Sequence, residues 1–293
     1  LADGLENRVL LAKGAGTSSL VAHPLEVGTT HHNIVYTTLG GFTEKLDVTL
    51  PRGTPPPGGW PVLLAIHGGG WRRYDKAEYG PRIAKGFVRH GYAVVAPNYV
   101  LSAPGFSTWP LNLEDIQSAV RWVRENATEL GLNPNQIVAI GESAGANLAA
   151  LAGTDPGPAV PGEVSDKVNA VIAFSTPTDL TELDFESPLA AIAVNQFLGG
   201  TPSQVPQNYA DASPIDHVSA SDPPMLLVHG LQDPLIPVSQ ARQMAAALTA
   251  AGVRNQLILV NGGHDLDFPV NYANLIPQIL EFLSATWNDT ESP

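Results

Sequence analysis

One segment constrains the fold more than any other. Ile137-Val138-Ala139-Ile140 is a short apolar run that passes into Gly141-Glu142-Ser143-Ala144-Gly145, and the Ala/Leu-rich stretch Ala146 to Leu151 follows. Residues of these types in this order predict a strand, a very sharp turn and a helix, with a serine at the apex. Glycine at 141 and 145 lets the chain pass close to itself. Ser143 is then held in a strained backbone conformation, with its hydroxyl out at the carboxyl end of the strand. The helix beginning at Ala144 turns its amide-rich end toward the same spot. The segment therefore predicts a nucleophile and, in the Ala144 N–H, part of an oxyanion hole. The pentapeptide alone recurs by chance, so its meaning depends on whether the chain also supplies a base, an acid and further donors.

Strands and helices alternate on either side of it. Ile34 to Leu39 and Lys45 to Leu50 predict a strand pair, and Pro51 to Pro61 is a Pro/Gly turn region. Val62 to Ile66, Tyr92 to Ala96, Val168 to Phe174, Met225 to Val228 and Gln256 to Val260 are apolar runs suited to strands buried on both faces of a parallel sheet. Pro81 to His90, Leu111 to Leu130, Val238 to Ala251 and Tyr272 to Trp287 read as helices, the first two closed by Gly91 and Gly131. The implied fold class is α/β, a mostly parallel central sheet with helices on both faces. Residues 1–30 read as a flexible lead-in and 31–293 as one domain. Residues 177–222 break the alternation after a strand's carboxyl end, where an insertion forms a cap or pocket wall.

Serine is a weak nucleophile at neutral pH and needs a base, usually an imidazole oriented by a carboxylate. In this kind of fold the partners follow in the order Ser, acid, His. Asp233 stands in His229-Gly230-Leu231-Gln232-Asp233-Pro234, after the Met225 strand, and His264 in Gly262-Gly263-His264-Asp265, after the Gln256 strand. Ser143, Asp233 and His264 are thus the expected catalytic residues. Asp179, after an earlier strand, is the alternative acid; Asp265 and Asp267 lie too close in sequence to His264 to orient it from behind. His67 and His229 read as structural hydrogen-bonders, with His67 bracing the loop that follows it. That loop, Gly68-Gly69-Gly70, comes directly after a buried strand, and without Cβ atoms it can aim backbone N–H groups at a substrate. Gly69 and Gly70 are assigned to the oxyanion hole with Ala144, and Trp71 to the substrate pocket.

Together, His67-Gly68-Gly69-Gly70-Trp71, Gly141-Glu142-Ser143-Ala144-Gly145, Asp233 and His264 resemble the α/β-hydrolase esterases of the hormone-sensitive-lipase-like and feruloyl-esterase-like groups over about residues 34–287. The resemblance implies carboxylic ester hydrolysis through an acyl-enzyme, with no cofactor. Glu142 departs from the hormone-sensitive-lipase-like pattern, which usually has Asp there, and reads as scaffold behind the turn. Ala212-Ser213-Pro214-Ile215 and Asp222-Pro223-Pro224 look more like secreted polysaccharide-associated esterases. The expected substrates are short-acyl or aryl esters of the feruloyl or acetyl type, either small molecules or carbohydrate-linked. An arylformamidase or lactonase on the same scaffold, or a non-catalytic binding module, are the alternatives.

Composition narrows the partners. The net charge of −13, with only 15 Lys and Arg, leaves no basic footprint for nucleic acid. There is no cysteine, which excludes disulfides and thiol catalysis, and no apolar run long enough to span a membrane. His31-His32 has no nearby ligand partners in sequence and is expected to be solvated, so no metal site is assigned. Leu5 to Ala12 partly matches the LEPRxLLS segment found near the N-termini of exported bacterial proteins; the expected location is secreted or periplasmic.

Overall fold

The computed structural model describes residues 28–157, 162, 164–266 and 270–290. The exported-type segment and most of the lead-in lie outside them. Among the described residues, eight strands form one sheet: β1 (Thr30–Leu39), β2 (Phe42–Thr49), β3 (Trp60–Ile66), β4 (Ala93–Pro97), β5 (Leu132–Glu142), β6 (Ala170–Phe174), β7 (Met225–Gly230) and β8 (Asn255–Val260). Their spatial order is β1-β2-β4-β3-β5-β6-β7-β8. The β1–β2 hairpin turns at Gly40-Gly41, both with positive φ, and β2 meets β4 antiparallel; every other pairing is parallel.

The apolar runs are continuous because each strand feeds two cores. Val62, Leu64 and Ile66 of β3 point into one, with Ala93, Val95, Ile137 and Ala139. Leu63 and Ala65 point into the other, with Val94, Ala96, Val138 and Ile140. The helices that cover the sheet are α1 (Lys76–Phe87), α2 (Leu111–Glu125), α3 (Ala127–Leu130), α4 (Ala144–Thr154), α5 (Leu180–Glu186), α6 (Pro188–Leu198), α7 (Pro206–Asp211), α8 (Val238–Ala250) and α9 (Val270–Thr290). Helices α2, α4 and α8 supply the first core, and α1 and α9 the second. Among the described residues no helix is long and apolar enough to cross a membrane.

Two helices depart from expectation. Helix α1 starts at Lys76, five residues before Pro81, because the Asp75 carboxylate caps it by accepting from the Ala77 N–H. Pro81 sits on the exposed face, opposite the buried Tyr79, Ile83 and Phe87. The second helix is not continuous to Leu130: it breaks at Asn126, whose side chain donates to the Trp122 carbonyl at 2.8 Å. His32 is not merely solvated either. Its Nδ1 lies 2.7 Å from Asp47, and the Lys76 ammonium meets the other Asp47 oxygen at 2.8 Å and the Asn33 side chain at 3.0 Å. This cluster fastens the hairpin to α1.

The segment between β6 and β7 is helical, made of α5, α6, α7 and a short 3₁₀ turn at Pro214–His217. It is anchored at its start and near its end. The buried Gln240 of α8 accepts the Thr178 and Asp179 N–H groups at 2.8 Å each. Asn147 of α4 donates to the carbonyls of Pro177 and Ala212. Over the sheet, Phe197 of α6 stacks flat on Trp71, centroids 4.4 Å apart and planes 3° from parallel.

Candidate active site

The site is assembled at the carboxyl end of the parallel strands. Ser143 stands between β5 and α4 at φ 54°, ψ −120°, a region a residue with a Cβ occupies only when its surroundings impose it. The neighbouring glycines show how. A Cβ on Gly141 would lie 2.2 Å from the Gly145 carbonyl oxygen, and one on Gly145 2.2 Å from that of Ile66. The turn closes only because both are absent. The Ser143 N–H donates to the Phe174 carbonyl at 2.9 Å, and the Ser175 hydroxyl to the His264 carbonyl at 2.8 Å. Consecutive residues at the end of β6 thus hold the backbones of Ser143 and His264.

Asp233 and His264 are paired. His264 Nδ1 lies 2.8 Å from Asp233 Oδ2, while Asp233 Oδ1 accepts from the Leu235 and Ile236 N–H groups at 2.8 and 2.9 Å. Burial alone would raise the Asp233 carboxyl. The N–H groups of His229 and His264, the charge of protonated His264 and the Ile236 amide outweigh it and hold it far below the ordinary carboxylate range. Asp233 therefore stays ionised, and its hydrogen bond sets the tautomer that leaves His264 Nε2 free to take a proton. His229 is fully buried; its Nε2–H donates to the Ile236 carbonyl at 2.8 Å and passes 3.4 Å from Asp233. Asp179, the alternative acid, is used elsewhere: it caps α5 by accepting from the Glu182 N–H. Gly230 was not singled out in the sequence, yet it lets the two loops meet, since a Cβ there would stand 2.2 Å from the Gly263 carbonyl oxygen.

The glycine loop runs beside Ser143. A Cβ on Gly68 would come within 3.5 Å of Ser143 Cβ, and Gly69 and Gly70 have φ of 106° and 62°. His67 braces the loop from below. Its ring stacks on Tyr99 at 4.3 Å, its Nδ1–H donates to the Gly68 carbonyl, and the Tyr99 hydroxyl donates to the His67 carbonyl. Burial pulls its pKa down to about 4, so the ring is neutral at neutral pH. Trp71 is 3 % exposed, a pillar between the glycine loop and Phe197, and its indole Nε1 has no partner among the described residues. Glu142 lines a small cavity with Tyr79, Phe174, Asp265 and Tyr272. Burial raises its carboxyl, and the charges of His264 and Arg82 oppose that shift.

A second support lies under Trp71. The Trp71 carbonyl accepts from Ser102, and the loop carrying Ser102 is clamped by α2, where Asp115 accepts the Val100 N–H at 2.9 Å and Asn112 donates to the Val100 carbonyl. Asp115 is 2 % exposed, and burial pushes its carboxyl up to about 7. Between about pH 4 and pH 7 the folded chain keeps a proton that the unfolded chain releases, so this group lowers stability as pH rises through that window. Asp115→Asn preserves the acceptor and removes the titration. Urea denaturation is expected to show less pH dependence between these limits and a gain on the order of 2–4 kcal/mol above them. An unchanged pH slope would refute the assignment.

The family described as BD-FAE matches residues 46–248, well over half of the chain. The chain belongs to the BD-FAE family. This BD-FAE chain is 35% identical over 208 residues to the probable carboxylic ester hydrolase LipM of Mycobacterium tuberculosis, covering 69% of this chain and 48% of LipM. It is 33% identical over 218 residues to the esterase LipQ of the same organism, covering 73% of this chain and 51% of LipQ. The chain thus spans about half the length of the curated relatives it matches. Among solved structures it is similar to the Thermogutta terrifontis esterase Est2 with propionate bound, at a TM-score of 0.73 and 28% identity, covering 89% of this chain and 96% of Est2. The fold is accordingly that of the α/β-hydrolase esterases.

Proposed function

We propose that this chain hydrolyses carboxylic esters, with Ser143 as nucleophile, His264 as base and Asp233 as the carboxylate that orients it. The observation that carries the reading is the 2.8 Å bond from the partly exposed His264 to a buried, ionised Asp233, together with a strained serine whose backbone and that of His264 are held by consecutive residues at one strand end. In the first step His264 Nε2 takes the Ser143 hydroxyl proton as the oxygen attacks the ester carbonyl. The oxyanion is held by the N–H groups of Gly69, Gly70 and Ala144. His264 then gives its proton to the departing alcohol, leaving an acyl-serine. Water, deprotonated by His264, attacks that ester; the acid leaves and Ser143 recovers its proton. Asp233 balances the imidazolium charge in both halves without taking a proton.

The substrate reading is a short-acyl or aryl ester, of the acetyl or feruloyl type. Helix α6 presses on the glycine loop, with Ala193 Cβ 3.3 Å from where a Gly70 Cβ would stand, which limits the room on that side. Est2, with propionate or butyrate bound, supports small acyl groups. Trp71 enters the proposal as the support of the pocket wall. The test is a set of initial rates on para-nitrophenyl acetate, butyrate, octanoate and palmitate, methyl ferulate and acetylated xylan. Turnover is expected to be highest with acetate or butyrate and to fall with chain length. Turnover rising toward palmitate would overturn the substrate reading, and none on any ester would overturn the activity.

A further inference from the structure

We propose that Arg72 recognises a carboxylate carried by the ester substrate, a few bonds from the scissile carbonyl. The inference rests on the ester-hydrolase reading and narrows its substrate class. Arg72 follows the glycine loop directly. Gly70 and Trp71 both have positive φ, 62° and 56°, and the Arg72 N–H donates to the Gly69 carbonyl. The chain therefore folds back on itself, and the Arg72 side chain lies along the loop. Its Nε is 3.8 Å from the position of a Gly70 Cβ, where Ala193 of α6 also approaches. Arg72 thus occupies the seam between the proposed oxyanion donors and the β6–β7 segment.

The guanidinium has no hydrogen bond or ion pair among the described residues, although it is half-buried. Other arginines withdrawn from solvent are engaged, Arg121 with Asp166 at 2.6 Å and Arg124 with one backbone carbonyl after another, whereas Arg52, Arg73 and Arg242, which also show no partner among the described residues, are exposed. The chain carries 28 Asp and Glu against 15 Lys and Arg, so partners are plentiful. A planar group with five donors, partly desolvated and unmatched, suits an acceptor that arrives with the substrate. Carboxylate fits its fork through paired hydrogen bonds. Arg73 adjoins it but is exposed, so its charge is screened by solvent and it is not part of the proposed carboxylate site. Gly68 packs beside Ser143, Gly70 follows two residues on, and the Arg72 Nε approaches Gly70, which keeps the long side chain within reach of a group a few bonds from the reacting carbon. A half-ester of a short dicarboxylic acid carries a carboxylate at such a remove, and so does an alcohol bearing a carboxyl group.

The experiment compares kcat/KM for charged and neutral partners. Para-nitrophenyl hydrogen succinate against para-nitrophenyl butyrate tests the acyl side. Para-carboxyphenyl acetate against para-carbamoylphenyl acetate tests the alcohol side. Dividing the variant's charged-to-neutral ratio by that of the unsubstituted chain removes the esters' intrinsic reactivity. Arg72→Gln is expected to lower this ratio about ten-fold or more in at least one pair, and the pair that responds identifies the side bearing the carboxylate. Arg72→Lys should restore part of it, because it keeps charge but loses the fork. Arg73→Gln, an equal charge loss one residue away, should leave both ratios near their original values. The proposal is overturned if both pairs shift by less than about two-fold in Arg72→Gln, or if Arg73→Gln matches it, since a general field is then responsible. Absence of turnover on the neutral esters by the unsubstituted chain would instead defeat the ester-hydrolase reading itself.

Discussion

Ser143→Ala is expected to lose about four orders of magnitude or more in ester turnover while its unfolding transition stays where it is. The two halves of this expectation have separate causes. The reaction as proposed needs an oxygen at the turn, and alanine removes that atom alone. The strain at φ 54° belongs to any residue with a Cβ, so alanine inherits it and gains no stability. Glycine would relax it, and Ser143→Gly should melt higher than Ser143→Ala. Rates on para-nitrophenyl butyrate with thermal melts of the three proteins check both points. Residual turnover near the original rate in Ser143→Ala would mean that another group attacks the ester.

Gly145→Ala is expected to cost about 3 kcal/mol or more of folding stability, far beyond the usual effect of one added methyl group. The new carbon would stand 2.2 Å from the Ile66 carbonyl oxygen and 2.4 Å from that of His67. Both are backbone atoms at the end of a central strand, with no rotamer through which to yield. Relief would have to come from moving β3 or α4, and β3 leads into the glycine loop. Urea denaturation measures the loss; a midpoint close to that of the unsubstituted chain would show that the crossing is looser than these distances say. Where the variant still folds, its turnover should fall as well, because the loop that moves carries Gly69 and Gly70.

Much of this arrangement could be read from the chain because it is local. The central strands announce themselves as apolar runs, since each residue from Val62 to Ile66 enters one core or the other. The serine turn, the glycine loop and the order Ser143, Asp233, His264 lie in short stretches that each follow a strand. The chain departs from its local signals where a side chain overrides them. Asp75 starts a helix upstream of the proline that looked like its beginning, and Asn126 divides one that looked continuous. The contacts that brace the site were harder to see because their partners are far apart in sequence. Gln240 meets Thr178 across 62 positions, and Ser175 meets His264 across 89. A glutamine on a helix or a serine after a strand carries no mark of such a role. Arg72 is similar: its lack of a partner among the described residues is a property of the folded surroundings, not of its neighbours in the chain.

The flat stacking of Phe197 on Trp71 has a consequence for how this architecture can diversify. The Phe197 ring of the β6–β7 segment and the ring that ends the glycine loop form a single joint, so the β6–β7 segment is not an exchangeable module. A chimaera that imported this segment from a relative would also need a matching aromatic beneath it. Without one, the loop carrying Gly69 and Gly70 would settle in a different place, and a graft meant to change selectivity would also displace the proposed oxyanion donors.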